Sequence, residues 1–219
     1  MKEAELIKVI AQVVKKYVID SIYVPAGVSN RHIHIEKEDF EILFGKGHEL
    51  SKLKDLKQPG EFAAHETVTL ISEKGSISKV RVLGPLRKQT QVELSLSDSF
   101  LLGVNKIPVR ESGNIKDSEG IIVQGPAGEI EIKQGAIAAH RHIHMPQDFA
   151  DIYGFKDKEI VSVKSEGIRS VTFNNVMLRV SNNYALEIHL DLDEANAALV
   201  KNGDLLKIVR HEGEANGYE

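Results

Sequence analysis

Residues Val28–Gly45 read VSNRHIHIEKEDFEILFG, and residues Ala138–Gly154 read AAHRHIHMPQDFADIYG. Each stretch writes Arg-His-Ile-His and then Asp-Phe, three residues, an aromatic or phenolic ring and Gly. DFEILFG and DFADIYG align without a gap, and RHIH aligns upstream with a one-residue difference in spacing. The likeness continues downstream. VTLISEKG echoes VSVKSEG, VRVLGP echoes LRVSNN, and VELSLSD echoes LEIHLDLD. Both halves thus present RHIH, a helix and three strands in the same order, which implies two related units with approximate two-fold symmetry.

The texture around the repeat is that of a mainly β protein. Thr67–Gly75, Lys79–Gly84, Gln91–Leu96, Glu159–Gly167, Ser170–Val180 and Ala185–Leu192 alternate or are rich in β-branched residues, with Gly and Asn turns between them. Short helices are expected over Glu38–Phe44, Pro146–Tyr153 and Asp193–Leu199. A longer amphipathic one is expected near the N-terminus, where Leu6, Ile10, Val13, Val14 and Tyr17 recur at helical spacing. Many short strands with few helices predict two β-barrels with short capping α-helices.

Composition excludes several classes. Of 219 residues, 42% are apolar and 27% charged, and the formal net charge is -4, so nothing argues for nucleic acid or membrane as partner. No apolar run reaches the ~20 residues of a membrane span. The N-terminus carries charges throughout and lacks a secretory pattern, so the chain reads as cytoplasmic. It has no cysteine, which removes disulfides, thiolate metal sites and an acyl-cysteine intermediate.

On a strand, residues i and i+2 share a face. His32 and His34 therefore point one way, with Ile33 behind them. His140, His142 and His144 are expected on one face of the second strand, with Ile143 behind. Paired imidazoles suit a borderline metal such as zinc, and a polar, solvated strand face is the plainer alternative. By residue type, the third ligands available are Glu93 in QVELSL and His189 in LEIHLDL. His48 and His65 lie in loop-like stretches and read as surface or structural groups, and His211 as solvated. Arg87, after a Gly-Pro turn in GPLRKQTQVE, is either a solvated loop arginine or a clamp for an oxyanion or phosphate.

VSNRHIH, LGPLRKQTQVE, RHIHM and the later DEANAA, in that order, resemble the PduL-type phosphotransacylases, the phosphate propanoyltransferases, from about Tyr23 to Val209. The resemblance implies two β-barrel domains with a two-zinc site between them. Residues 21–31 plus 139–210 would form a discontinuous barrel and residues 32–138 the other, flanked by an N-terminal helix over residues 1–20 and a tail over residues 211–219. One zinc would be held by His32, His34 and Glu93 and the other by His142, His144 and His189, with Arg87 beside the phosphate and His140 outside the motif proper. The two copies would then be unequal, since a carboxylate completes one and an imidazole the other.

The implied reaction converts a short-chain acyl-CoA, propanoyl-CoA or acetyl-CoA, plus phosphate to acyl phosphate plus CoA, reversibly. Without cysteine or a nucleophile-elbow serine, direct attack by phosphate is the simplest route. The rivals are a zinc-dependent acyl-CoA thioesterase and a structural zinc barrel. The family also suggests a homodimer or larger assembly. An N-terminal helix of this kind either docks on its own domain or dimer partner or, as in relatives from bacterial microcompartments, directs encapsulation by shell proteins.

Overall fold

The computed structural model describes residues 5–7, 9–10, 22–104 and 107–210. Residues 5–7 and 9–10 are helical, while the remainder of the expected N-terminal helix and the tail with His211 lie outside the described residues. In chain order the first half carries β1 (Tyr23–Ser29), β2 (His32–His34), α1 (Lys37–Phe44), β3 (Lys52–Asp55), β4 (Phe62–Ile71), β5 (Ser76–Gly84), β6 (Gln91–Glu93), α2 (Leu96–Leu102), β7 (Val109–Arg110) and β8 (Glu119–Gln124). The second half carries β9 (Glu129–Ala139), β10 (His142–Met145), α3 (Gln147–Tyr153), β11 (Ile160–Lys164), β12 (Thr172–Val180), β13 (Glu187–Asp191), α4 (Leu192–Ala198) and β14 (Leu205–Val209).

Two compact units result. Among the described residues from 22 onward, one comprises residues 22–28, 141–190 and 195–210 and the other residues 29–104, 107–140 and 191–194. In the first, the strands close in the order β1-β13-β10-β12-β11-β14. In the second, β4, β5, β2, β6, β9 and β8 close a ring by successive pairing, because β8 pairs with both β4 and β9. The pairings correspond one to one. β2 runs parallel to β5 as β10 does to β12, and antiparallel to β6 as β10 does to β13. β1 opens the first half of the chain yet pairs with β14, while β9 opens the second half and pairs with β6 and β8. Internal duplication of a barrel is the simplest account of this matched topology.

Each ring encloses its own apolar core. Ile33, Val82, Val92 and Ala136 are fully buried in one, and Ile143, Leu178, Ile188 and Val161 in the other. Closure removes the unpaired edges that an open sheet of such short strands would expose. The helix after each RHIH stops at the repeated glycine. Gly45 has φ 96° and Gly154 has φ 68°, in the left-handed region that glycine enters without a Cβ penalty.

Two expectations change. The strand predicted over Gln91–Leu96 ends at Glu93, and Leu96 begins α2. Ser95 and Asp98 form a capping box there, Ser95 Oγ accepting from the Asp98 N–H and Asp98 Oδ2 accepting from the Ser95 N–H, and Gly103 ends the helix at φ 68°. The second half repeats the device with Asp191 and Glu194 at the start of α4. The second histidine strand begins at His142, so His140 lies outside it. The His140 N–H donates to the Arg110 carbonyl at 2.7 Å, at the end of the β7–β9 pairing.

Candidate metal centres

In the unit built around β2, register places His32 opposite Glu93 and His34 opposite Gln91. Ile33 turns into the core and the two imidazoles turn away from it, yet His32 and His34 are both buried. The ligand atoms of His32, His34 and Glu93 lie within 4.8 Å of one another. The Asn30 carbonyl accepts from His32 Nδ1 at 2.9 Å, which leaves Nε2 as the nitrogen with a lone pair, 3.4 Å from Glu93 Oε2.

Electrostatics suits ligation. Burial lowers His34 well below the usual imidazole value, and His32 and Arg87 add to that, so the ring stays neutral. Burial pushes Glu93 up, but His32 and His34, a hydrogen bond with Ser112 and the Arg87 charge together outweigh it. They bring Glu93 down to about 2, so it is a carboxylate at neutral pH.

A hydrogen-bonded chain surrounds this triad. Gln91 Nε2 donates to Glu93 Oε1 at 2.7 Å and to Ser112 Oγ at 3.0 Å, and Gln91 Oε1 accepts from the Gly113 N–H at 2.7 Å. Arg87 Nη1 donates to Ser112 Oγ at 3.2 Å and Arg87 Nη2 to Glu61 Oε1 at 3.1 Å. The Arg87 backbone N–H donates to the Ile35 carbonyl at 2.9 Å, which seats the arginine alongside the end of the RHIH segment.

The unit built around β10 repeats the layout. His142 faces His189 and His144 faces Glu187 across the β10–β13 pair. The ligand atoms of His142, His144 and His189 also fall within 4.8 Å of one another, and the ring centroids stand 4.6, 5.0 and 4.7 Å apart. Tyr184 stacks on His144 at 4.3 Å. His189 Nε2 donates to Glu187 Oε2 at 2.9 Å. The Ser181 N–H donates to the Met145 carbonyl as that of Arg87 does to the Ile35 carbonyl.

Both donor sets fit zinc by chemistry, two or three imidazoles with at most one carboxylate and no thiolate. His34 adds a second sign, because its Nδ1 is buried with no hydrogen-bond partner. A buried polar atom left so costs about 1–3 kcal/mol, which ligation by a metal ion would relieve.

The arginines of the repeat anchor rather than ligate. Arg31 Nη2 pairs with buried Asp98 at 2.9 Å, and Arg141 Nε donates to the Asn174 carbonyl at 2.8 Å. Of the other histidines, His48 is structural. Its Nε2 donates to Glu66 Oε1 at 2.9 Å, and Glu66 also accepts from the Ser51 N–H and Oγ. His65 lies on β4 rather than in a loop. Sequence reading passed over Gln91, Glu187, Ser112 and Glu61. The signal for the first two was present in Q-x-E and E-x-H, where alternation puts the residue two before each ligand on the ligand's own face.

Residues 25–201 match the family model described as phosphate propanoyltransferase. A phosphate propanoyltransferase of Thermotoga maritima is 53% identical over 184 residues, 84% of this chain and 87% of that protein. The chain belongs to the phosphate propanoyltransferase family. A second member, from Priestia megaterium, is 51% identical over 92% of this chain and 90% of its own length. A third, from Salmonella typhimurium, is 49% identical over 80% and 83%. As a member of this family the chain is an enzyme, a phosphotransacylase. Among the described residues, no helix is long and apolar enough to cross a membrane.

Proposed function

We propose that this enzyme transfers a short acyl group, propanoyl or acetyl, between coenzyme A and inorganic phosphate, with one zinc ion on each histidine triad. The observation that carries this reading is that a chain of this family gathers two three-donor clusters at matching positions of its two barrels, with five of the six donor residues buried and His189 half-buried. Three protein ligands per ion leave a coordination position for substrate, as catalytic zinc sites do. A bound zinc ion supplies positive charge to hold a phosphate oxygen and polarise a carbonyl.

The chain's own residues do the rest. Arg87 has a planar fork of five N–H donors, and its bonds to Ser112 and Glu61 leave donors for an oxyanion. It steadies phosphate and the negative charge that develops on the thioester oxygen. A phosphate oxygen attacks the thioester carbon, the C–O bond forms, the C–S bond breaks, and CoA leaves as a thiolate that takes up a proton. The absence of cysteine supports direct transfer without an acyl-cysteine step. Holding both reactants in one site removes much of the entropic barrier to their encounter.

The discriminating measurement is CoA release from propanoyl-CoA and acetyl-CoA with and without phosphate, with hydroxylamine trapping of acyl phosphate. Phosphate-dependent release with a trappable product is expected. Equal release without phosphate would reveal a hydrolase. Elemental analysis should give two zinc ions per active chain, and fewer would sink the two-ion site. The reading extends to a homodimer or larger assembly, and to recruitment by shell proteins through residues 1–20. Deleting that segment and following oligomeric state and co-localisation with a shell tests both.

A further inference from the structure

Register puts Gln91 and Glu187 in the same place. Each lies two residues before the third ligand of its triad and directly opposite the second histidine of RHIH. Their chemistry is exchanged. In one barrel a neutral amide holds a carboxylate, and in the other a carboxylate holds a neutral imidazole. We propose that Gln91 and Glu187 are positioning residues that orient the third ligand of each triad, each matched to its ligand and neither replaceable by the other. This rests on the zinc reading above.

A free carboxylate can present either oxygen. The Gln91 amide engages Glu93 Oε1 and is itself locked by the Gly113 N–H and Ser112 Oγ, so Oε2 is the oxygen left facing His32. Glutamate at position 91 would set an oxygen acceptor against both Glu93 Oε1 and the Ser112 side chain, with no N–H left to donate to Glu93. An imidazole has the opposite need. One nitrogen must carry a proton so that the other offers a lone pair, and a carboxylate acceptor enforces that choice. Glu187 accepts from His189 Nε2, which leaves Nδ1 as the donor atom. Gly27 keeps room for this, because a Cβ there would come within 2.7 Å of the Glu187 carboxylate carbon. Each pair holds one carboxylate, Glu93 beside Gln91 and Glu187 beside His189.

The test uses zinc-loaded, full-length protein and competition with a chromophoric chelator. Gln91→Glu and Glu187→Gln should each weaken one of the two zinc ions about 10–100-fold and leave the other unchanged. Gln91→Ala and Glu187→Ala serve where the exchanged residue disturbs folding, and should weaken the same ion. Long-range 1H–15N spectra of the imidazoles supply a readout that packing changes do not move. Wild-type His189 should carry its proton on Nε2, and that signal should be displaced in Glu187→Ala. Zinc affinities within about twofold of wild type in all four variants, or a His189 proton on Nδ1 in wild type, would overturn the proposal. Wild-type protein with fewer than two zinc ions would instead overturn the zinc reading, and this inference with it.

Discussion

The barrel around β2 and the barrel around β10 place imidazoles on the same strand positions, against the same strand partners, in front of the same kind of buried isoleucine. They differ in what surrounds those imidazoles. The first has a carboxylate, Glu93, held by an amide, with Arg87 tied into the same hydrogen-bonded chain. The second has a third imidazole held by a carboxylate, and the backbone bond that Arg87 makes to Ile35 is made there by Ser181 to Met145. The comparison teaches that duplication preserved backbone and register while the charged groups diverged. The barrel around β2 is the one in which Arg87 joins the hydrogen-bonded chain around the triad.

The largest expected effects break the triads themselves. His34→Ala and His142→Ala should each remove one zinc ion and lower activity by more than the 10–100-fold typical of losing an outer partner. Elemental analysis beside a phosphate-dependent assay reads both, and retention of two ions by either variant would contradict the ligand sets. Next comes Arg87→Ala, expected to lower kcat by roughly 10²–10³-fold with zinc content unchanged. Ser181→Ala in the other barrel should change kcat little; equal losses from the two would erase the functional asymmetry.

Stability should treat the barrels alike. Ile33→Ala and Ile143→Ala each empty a fully buried site and should cost about 2–5 kcal/mol by denaturant unfolding. A pair of values differing severalfold would show that the cores are not equivalent. Ser95→Ala and Asp191→Ala remove matching helix caps and should cost about 1 kcal/mol each.

A pH effect is expected in the barrel around β2. Burial raises Glu66, but hydrogen bonds from His48 and Ser51 outweigh it and hold it below the usual carboxylate value. A depressed folded-state value means that its contribution is complete above the unfolded value of 4.5 and fades as pH falls through the folded one. Glu66→Gln should therefore flatten the loss of stability below pH 4.5. An unchanged acid profile would show that the cluster contributes nothing.

Much of the site could be read from RHIH alone, because alternation along a strand is local and Ile33 and Ile143 declare which face is core. The strand reading failed at Leu96, where the Ser95–Asp98 capping box and Gly103 turn a strand-like apolar run into a helix. It failed again at His140, where two residues of non-strand backbone interrupt the alternation before His142. Gln91 and Glu187 were visible as residues but not as partners.

The sequence by itself determined the duplication, the histidine pairs and the kinds of atom on offer, since each follows from identity and spacing within a few residues. Tertiary structure brought Glu93 and His189, which the sequence offers only by residue type and resemblance, within reach of each pair, and it alone showed that Gln91 and Glu187 bond to them. Both depend on hydrogen-bond register between strands far apart in the chain. A shift of one residue in that register would turn Glu93 and His189 to the opposite face.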